Sequence, residues 1–261
     1  MSNPEFCKIE REGRLLLVTI NRPELMNALH PPANKELAEV FDGFAADSDQ
    51  WVAIITGAGD RAFSAGNDLK YQASGQPMSI PATGFAGLTS RFDLTKPVIA
   101  AVNGLAMGGG FEIALACDIM IASDNALFAL PEPRVGLAAL AGGLHRLPRE
   151  IGTKRALGMI LTGRRVTAAE GQALGFVNEV VKPGETLAAA KRWAGQMLEC
   201  SPMSIRASKE AVTRGLMEPS VKAALENQRH YDAVRAMYKS QDFVEGPMAF
   251  AQKRPPQWKG K

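Results

Sequence analysis

The sequence of 261 residues predicts a layered α/β fold that is followed by a helical C-terminal region. Short apolar, β-rich segments alternate with helical patterns up to about residue 181, and this alternation is typical of α/β layers. From residue 184 onward the pattern is helical only. The change near residue 200 is the only candidate boundary, so we expect a core over residues 1–200 and a helical region over residues 201–261.

The first half of the core contains three apolar segments that are typical of buried strands. They are RLLLVTI at residues 14–20, WVAIIT at residues 51–56 and PVIAAV at residues 97–102. Between the first two, residues 34–47 show helical periodicity. This periodicity places five apolar side chains on one helix face: Leu37, Val40, Phe41, Phe44 and Ala45.

The remaining elements are predicted from turn and capping signals. Residues 72–87 are rich in Gly, Pro and Ser, and we expect a long mobile loop that covers a ligand. TAAE at residues 167–170 predicts a capping box that opens a helix. Ser201 before a proline predicts the start of another helix. Further helices are expected over residues 220–238 and 240–254.

Composition excludes several classes of protein. Hydrophobic residues make up 46% and charged residues 22%, so a sizeable core can form, and the net charge of +3 does not by itself indicate nucleic-acid binding. The first 13 residues lack the apolar segment of an export signal, and residues 98–117 contain an Asn and four glycines that oppose a membrane span. Cys7, Cys117 and Cys200 are odd in number and far apart, which favours reduced thiols. We therefore expect a cytoplasmic protein with no nucleic-acid or membrane partner.

The sequence predicts neither a dinucleotide-binding site nor a serine-hydrolase site. GAGDRA at residues 57–62 fits the G-x-G-x-x-A pattern, but turn residues follow it where a dinucleotide site needs a helix. His30, His145 and His230 are expected to be structural, and no serine lies in a G-x-S-x-G sequence.

Glu112 is the only charged residue between Val98 and Cys117. It follows three glycines and Phe111, and such glycines at a helix start allow a ligand to approach the backbone. The first N–H groups of a helix are unpaired and partly positive, so they suit an oxygen that becomes an anion during a reaction. The alternative is that Glu112 only complements the helix dipole. The apolar surroundings favour a catalytic role.

Glu132 is a second candidate carboxylate, held between Pro131 and Pro133. The prolines make this segment rigid and forbid a helix, so the side chain can be aimed; a surface-turn glutamate is the alternative. FSAGND at residues 63–68 predicts a tight turn with exposed backbone N–H groups. Asp118 is expected to be a structural carboxylate.

These motifs together resemble the crotonase superfamily of enoyl-CoA hydratases and isomerases. The resemblance covers nearly the whole chain, and residues 83–104 are most similar to carnitinyl-CoA dehydratase-like members. The matching segments, in chain order, are NRPELMNAL, AFSAGNDLK, KPVIAAVNGLAMGGGFEIALACDI, FALPEPRVGL, GGLHRLPREIG and LTGRRVTAAEGQALGFVNEVV.

The resemblance implies a crotonase-type spiral of repeated β-β-α units, with a C-terminal helical region that forms trimers or dimers of trimers. It implies an acyl-CoA thioester substrate and no metal or redox cofactor, since coenzyme A is part of the substrate. The backbone N–H groups of Asn67 and Gly109 match the oxyanion hole. Glu112 and Glu132 match the catalytic carboxylates of the hydratases.

The same resemblance implies a set of positions that contact coenzyme A. Phe250 and Lys253 match C-terminal positions that commonly act from a neighbouring subunit. Glu24 stands where relatives often have a basic residue, and Asn67 is larger than the usual alanine. The backbone around Ala65, Asp68 and Leu69 matches the segment that holds the adenine, and Lys70 lies at the end of this segment.

The expected reaction is the addition of water across the 2,3 double bond of an enoyl-CoA, or the reverse dehydration. Hydration needs one group that activates water and one that delivers a proton, and two close glutamates can share these tasks. One alternative is a carnitinyl-CoA dehydratase, and another is an isomerase that uses Glu132 alone. A non-catalytic member that binds RNA or scaffolds a complex is disfavoured, because the short basic segments lack interleaved aromatic residues.

Overall fold

The computed structural model describes residues 4–261. The predicted core begins at residue 1, so its first three residues lie outside the described range. Within that range the chain forms ten strands and eleven α-helices. The strands are β1 (Cys7–Glu12), β2 (Leu15–Ile20), β3 (Val52–Gly57), β4 (Ala62–Ser64), β5 (Val98–Val102), β6 (Leu105–Met107), β7 (Ile119–Ser123), β8 (Leu127–Ala129), β9 (Val166–Thr167) and β10 (Glu179–Val181).

After β10 the described chain forms helices and no further strand. The helices are α1 (Pro31–Ala46), α2 (Leu69–Ala73), α3 (Gly109–Ala116), α4 (Gly143–Ile151), α5 (Thr153–Thr162), α6 (Ala168–Leu174), α7 (Thr186–Leu198), α8 (Pro202–Gly215), α9 (Val221–Asn227), α10 (Asp232–Lys239) and α11 (Gln241–Ala251). No helix among the described residues is both long and apolar enough to cross a membrane.

The strands form two sheets. The larger sheet has the order β1-β2-β3-β5-β7-β10, and all its neighbours are parallel except β1 and β2. The smaller sheet has the order β4-β6-β8-β9, with the first three strands parallel. Because β3-β4-α2 and β5-β6-α3 are consecutive in the chain, each unit places one strand in each sheet and then a helix. The predicted fold class and the repeated β-β-α units are therefore confirmed.

The central strands of the larger sheet, β2, β3, β5 and β7, are buried on both faces, which explains their continuous apolar sequences. Alternate residues of a strand point to opposite faces. In β3, Ala53 and Ile55 belong to the main core with α1, while Val52 and Ile54 belong to a second core that includes residues of α7. The sheet thus forms a middle layer with an apolar core on each face.

Some sequence predictions need correction. Only part of residues 72–87 is open, because Phe85–Gly87 form a buried 3-10 turn whose Ala86 N–H donates to Asn34 Oδ1 at 2.7 Å. The predicted helix over residues 220–238 is broken into α9, a 3-10 turn at Gln228–His230, and α10. Distant residues contact both segments: Asn34 binds the first, and Glu210 Oε2 accepts the Ala233 N–H near the start of α10 at 2.7 Å.

Two capping predictions have mixed outcomes. Thr167 Oγ1 accepts from the Glu170 N–H at 3.2 Å, as a capping box requires. The Glu170 carboxylate, however, pairs with Arg164 and not with the Thr167 backbone, because a cation lies nearby. Ser201 caps α8 as predicted, accepting from the Ser204 N–H at 3.3 Å.

Candidate active site

The candidate site lies where the parallel strands of the smaller sheet end. β4 pairs with β6 through Ser64 and Ala106, and β6 pairs with β8 through Met107 and Ala129. Since the carboxyl ends of parallel strands meet at one edge, the segments that follow them come together. These segments carry Asn67, Gly109 and Glu132, and α3 adds Glu112.

The segments that carry the Asn67 and Gly109 N–H groups touch each other. A Cβ on Gly66 would lie 2.7 Å from the Gly109 nitrogen, so the two segments touch at this point. Gly66 has a φ of +83°, which glycine tolerates, and Asn67 is held by a parallel bridge to Leu29. Neither N–H has a hydrogen-bond acceptor among the described residues. Two free donors side by side can bind one oxygen atom.

Glu112 lies in the first turn of α3 and is only 3% exposed. Its Oε1 accepts the N–H of Gly143 at 2.8 Å, at the start of α4. Burial and then the charge of Glu132 raise the pKa of Glu112 to about 7, while the Gly143 N–H and Arg146 oppose that rise. The carboxyl group is therefore poised to hold or release a proton near neutral pH.

Glu132 begins a 3-10 turn over Glu132–Val135, which corrects the expectation that the prolines forbid any helical turn. A single 3-10 turn is compatible because Pro133 lacks an N–H only where none is needed. Its Oε2 is buried and has no hydrogen-bond partner among the described residues. Burial raises the pKa of this carboxyl too. A buried acceptor or donor without a partner is costly, so this oxygen suits a bound molecule.

Glycines bring the backbone and the two carboxyl groups close together. A Cβ on Gly108 would lie 2.7 Å from Glu132 Oε1, and one on Gly143 would lie 3.1 Å from Glu112 Oε1. Gly108 has a φ of +53°, which turns the chain from β6 into α3. The arrangement can therefore hold an oxygen on two N–H groups with two acid–base groups beside it.

Two supporting residues were not identified from the sequence. Gly143 lies within the family-like segment at residues 142–152, yet its bond to Glu112 spans 31 positions and leaves no local signal. Phe85 lies in the segment interpreted as a mobile loop, and its ring packs so closely on Gly109 that any Cβ there would touch it. Gly84 and Gly87 near Phe85 were the signal in the sequence that could have indicated a tight turn here.

The positions matched to coenzyme A in the first half of the chain lie beside this site. The Ala65 N–H donates to the Met26 carbonyl at 2.9 Å, and Leu69 and Lys70 are exposed in α2. The Asp68 side chain has a structural role, because it caps α2 by accepting from the Tyr71 N–H at 3.1 Å and pairs with Arg22 at 3.1 Å.

Phe250 and Lys253 are not brought to this site within one chain. Phe250 is 87% exposed on α11, and Lys253 follows that helix with a φ of +52°. The C-terminal tail folds back on α11, and Gly260 packs against Trp51 at the start of β3. Among residues 4–261, no hydrogen bond joins α11 to the strand ends of the smaller sheet.

Asp118 is structural, as predicted. Its Oδ2 accepts the Val98 N–H at 2.8 Å and pairs with Lys209 Nζ at 2.7 Å, which ties α8 to the core. Cys7, Cys117 and Cys200 are free thiols.

Comparison with known proteins assigns the chain to a family. The family model for enoyl-CoA hydratase/isomerase matches residues 10–261. The chain belongs to this family. Its membership confirms the crotonase resemblance that the sequence motifs indicated. Together with the relatives described next, this membership makes the chain an enzyme of the hydratase and dehydratase type.

Individual relatives cover almost the entire chain. A carnitinyl-CoA dehydratase from Salmonella arizonae is 45% identical over 98% of this chain and 99% of its own length. A crystal structure of enoyl-CoA hydratase from Mycobacterium tuberculosis has a TM-score of 0.91 and 36% identity, covering 98% of this chain and 99% of that chain. A carnitinyl-CoA hydratase structure from Mycobacterium avium has a TM-score of 0.78 and 37% identity, covering 99% of this chain and 100% of that chain. The fold of this family member is thus the fold of solved hydratases.

Proposed function

We propose that the chain catalyses the reversible addition of water across the 2,3 double bond of an enoyl-CoA thioester. The observation that carries this proposal is the buried Glu112 and the half-buried Glu132, whose Oε2 is buried, beside two backbone N–H groups without an acceptor. A hydratase needs both features at once, since the enolate oxygen and the water must be bound at the same time. An isomerase that uses Glu132 alone would not need a second buried acid, which disfavours that alternative.

The thioester oxygen is placed on the N–H groups of Asn67 and Gly109. Attack of water at the β-carbon moves electrons onto this oxygen and forms an enolate. The two donors stabilise the enolate more than the ground-state thioester, and one such donor contributes roughly 3–4 kcal/mol to lowering a barrier. Asn67 fulfils this role through its backbone, so its larger side chain does not prevent it.

Glu112 and Glu132 divide the proton transfers. Ionised Glu112 accepts a proton from water as its oxygen bonds to the β-carbon, and protonated Glu132 delivers a proton to the α-carbon. The reverse sequence eliminates water. Burial raises the pKa of both carboxyl groups, and the charge of Glu132 raises the pKa of Glu112 further, so one group can stay protonated while the other is ionised. The steps balance in electrons without a metal or a redox cofactor, so we propose that none is needed.

The coenzyme A part of the substrate is proposed to lie along the turn after β4, at Ala65, Asp68, Leu69 and Lys70. Phe250 and Lys253 would contact it from a neighbouring subunit, because they lie away from the site of their own chain. We propose a homotrimer or homohexamer built through α8–α11. The exposed Leu216 and Val221 of this region, at 83% and 77%, support this assembly. The expected cytoplasmic location stays a prediction.

Carnitinyl-CoA dehydration is a second candidate, and the 45% identity to a carnitinyl-CoA dehydratase favours it. It uses the same two glutamates in the direction of water loss. The discriminating measurement is kcat/KM for carnitinyl-CoA against that for an unbranched 3-hydroxyacyl-CoA of four carbons. A clear preference for carnitinyl-CoA would select this candidate as the natural substrate.

The proposed activity is tested by offering crotonyl-CoA to the purified protein. We expect the absorbance of the conjugated thioester to fall and 3-hydroxybutyryl-CoA to appear in equal amount. Glu150→Gln, which changes an exposed carboxylate on α4, is the control and should behave as wild type. Absence of turnover with both crotonyl-CoA and carnitinyl-CoA would contradict the proposal.

A further inference from the structure

Arg146 lies in the first turn of α4, beside the N–H that holds Glu112. Its own N–H donates to the Gly142 carbonyl at 2.8 Å, one residue before Gly143. A Cβ on Gly142 would overlap the Arg146 guanidinium, so the guanidinium lies against the backbone of the turn that leads into α4. The side chain therefore contacts the peptide that positions the Gly143 N–H on Glu112.

The same guanidinium reaches the segment that backs the paired N–H groups. Arg146 Nη2 donates to the Thr89 carbonyl at 2.9 Å. Thr89 Oγ1 accepts from the Phe85 N–H at 2.8 Å, and the Phe85 ring packs on Gly109. One side chain thus joins the start of α4 to the turn that supports Gly109.

The charge of Arg146 is partly buried and lies against the turn that precedes Gly143. Its hydrogen bond goes to a carbonyl and not to a carboxylate, and burial lowers the pKa of the guanidinium, while Cys117 and Glu112 oppose that change. The ring centroid of Phe92 lies 5.6 Å from its Cζ. A desolvated cation here favours the ionised form of a nearby carboxyl group.

We propose that Arg146 is a positioning residue that fixes the Gly142–Gly143 turn against residues 85–89 and favours the ionised form of Glu112. This inference rests on the proposed function. The charged groups facing Glu112 are Glu132, from the turn after β8, and Arg146, from α4. Removing Arg146 removes the cation and leaves the opposing carboxyl. Glu112 then takes up its proton at a higher pH.

The test compares Arg146→Gln with wild type, Arg146→Lys and Arg149→Gln. Arg149 is exposed on the same helix and donates to the His145 carbonyl at 2.7 Å, so its variant is the matched control. For Arg146→Gln we expect kcat at pH 7 to fall about tenfold with KM little changed, because substrate contacts remain. The acid limb of the kcat profile should move up by about one pH unit. Arg146→Lys should restore the acid limb but not the full kcat, since it keeps the charge without the planar fork.

A second measurement does not depend on turnover. In protein labelled with carbon-13 at glutamate carboxyl groups, the Glu112 resonance is assigned through Glu112→Gln and titrated in wild type and Arg146→Gln. We expect its midpoint to rise in Arg146→Gln and to stay unchanged in Arg149→Gln. A shifted midpoint in a protein that hydrates nothing would retain the inference and overturn the proposed function. If the Glu112 midpoint and the kcat profile are both unchanged in Arg146→Gln, the inference is wrong. If Arg146→Gln does not fold, a kcat of Arg146→Lys equal to that of wild type would also show that the inference is wrong.

Discussion

Glu112 is subject to two opposing effects. Its neighbours Gly143 and Arg146 favour the carboxylate, whereas burial and Glu132 favour the neutral acid, and the second pair dominates. A buried acid with such a balance exchanges its proton easily at neutral pH, which suits catalysis but costs stability. The cost can be measured separately from the catalytic benefit.

Glu112→Gln should stabilise the protein at alkaline pH. The pKa of Glu112 rises from 4.5 to about 7 on folding, so the folded state binds this proton more tightly than the unfolded chain does. The resulting contribution to the free energy of unfolding is complete below pH 4.5 and is lost as the pH rises through 7. Gln keeps the acceptor for the Gly143 N–H and has no charge to bury. We expect a gain of about 3 kcal/mol in unfolding free energy at pH 8.5 relative to the change at pH 4.5. Denaturant unfolding at the two pH values checks this, and a pH-independent difference would contradict the pKa shift.

Glu132→Gln should abolish hydration while leaving coenzyme A binding nearly intact. The change is almost isosteric, but the amide cannot donate and accept a proton as the reaction requires. Steady-state kinetics with crotonyl-CoA and calorimetry with coenzyme A provide the two measurements. Retention of more than about a tenth of the wild-type kcat would show that Glu132 has another role.

Sequence pattern identified these two glutamates because each stands in an unusual local context. Glu112 interrupts an apolar segment, and Glu132 lies between prolines. Gly143, which donates to Glu112, has no comparable sequence signal, because it is 31 residues away and only the fold brings it near. The capping role of Asp68 was also missed, because its pairing with Arg22 depends on the turn between β4 and α2.

At the scale of elements, the sharp turn from β6 into α3 determines how the site is built. Gly108 adopts φ +53° and ψ −124°, and the Glu132 carboxyl occupies the space where its Cβ would be. The turn brings the Gly109 nitrogen against the Gly66–Asn67 segment, and it leaves room for Glu132. A side chain at residue 108 would therefore disturb both groups.

Gly108→Ala should lower kcat strongly and destabilise the fold by about 1–3 kcal/mol, the usual cost of a non-glycine residue in such a conformation. The control is Gly158→Ala in α5, where a Cβ would have nothing within 4 Å. That change should leave kcat unaltered and stabilise the helix by about 0.5–1 kcal/mol. Kinetics and chemical denaturation of the two variants test the difference. Equal behaviour of the two alanine variants would contradict the account of this turn.

The element boundaries show which predictions depend on local sequence. The strands β2, β3 and β5 are buried on both faces, so their continuous apolar segments were sufficient. The segment at residues 72–87 was misjudged in part, because composition does not reveal that the Thr89 hydroxyl and Asn34 amide hold Phe85 and Ala86. Polar side chains from distant positions therefore order a segment that looks flexible in sequence.

At the scale of the whole molecule, the apolar surface of α8–α11 is only partly used within the chain. Tyr231 and Val234 are buried with Ala207. Val221 and Leu225 stay exposed. A helical pattern predicts which residues are apolar, but it does not say which of them a neighbouring helix of the same chain covers.

The mass in solution should be three or six times the 28.0 kDa of one chain. Burying the exposed apolar side chains of the C-terminal helices between subunits is the driving force. Light scattering at micromolar concentration is the measurement, and a second run at high salt should give the same mass because the contact is apolar. A mass of one chain would contradict the assembly and the proposed contact of Phe250 and Lys253 with coenzyme A in a neighbouring subunit.

The central claim is that Glu112 and Glu132 act as a pair on one water molecule, and Glu112→Ala tests it most directly. Wild type and variant are supplied with a 2-enoyl-CoA and a 3-enoyl-CoA in parallel, and solvent deuterium is followed into the α-position. If Glu112 activates water, hydration should fall by about 10²–10⁴, the contribution of one acid–base group. Thioester binding should persist, because the Asn67 and Gly109 donors belong to the backbone. Hydration of the 2-enoyl-CoA at near wild-type rate would contradict the claim and leave Glu112 as a charge at a helix terminus.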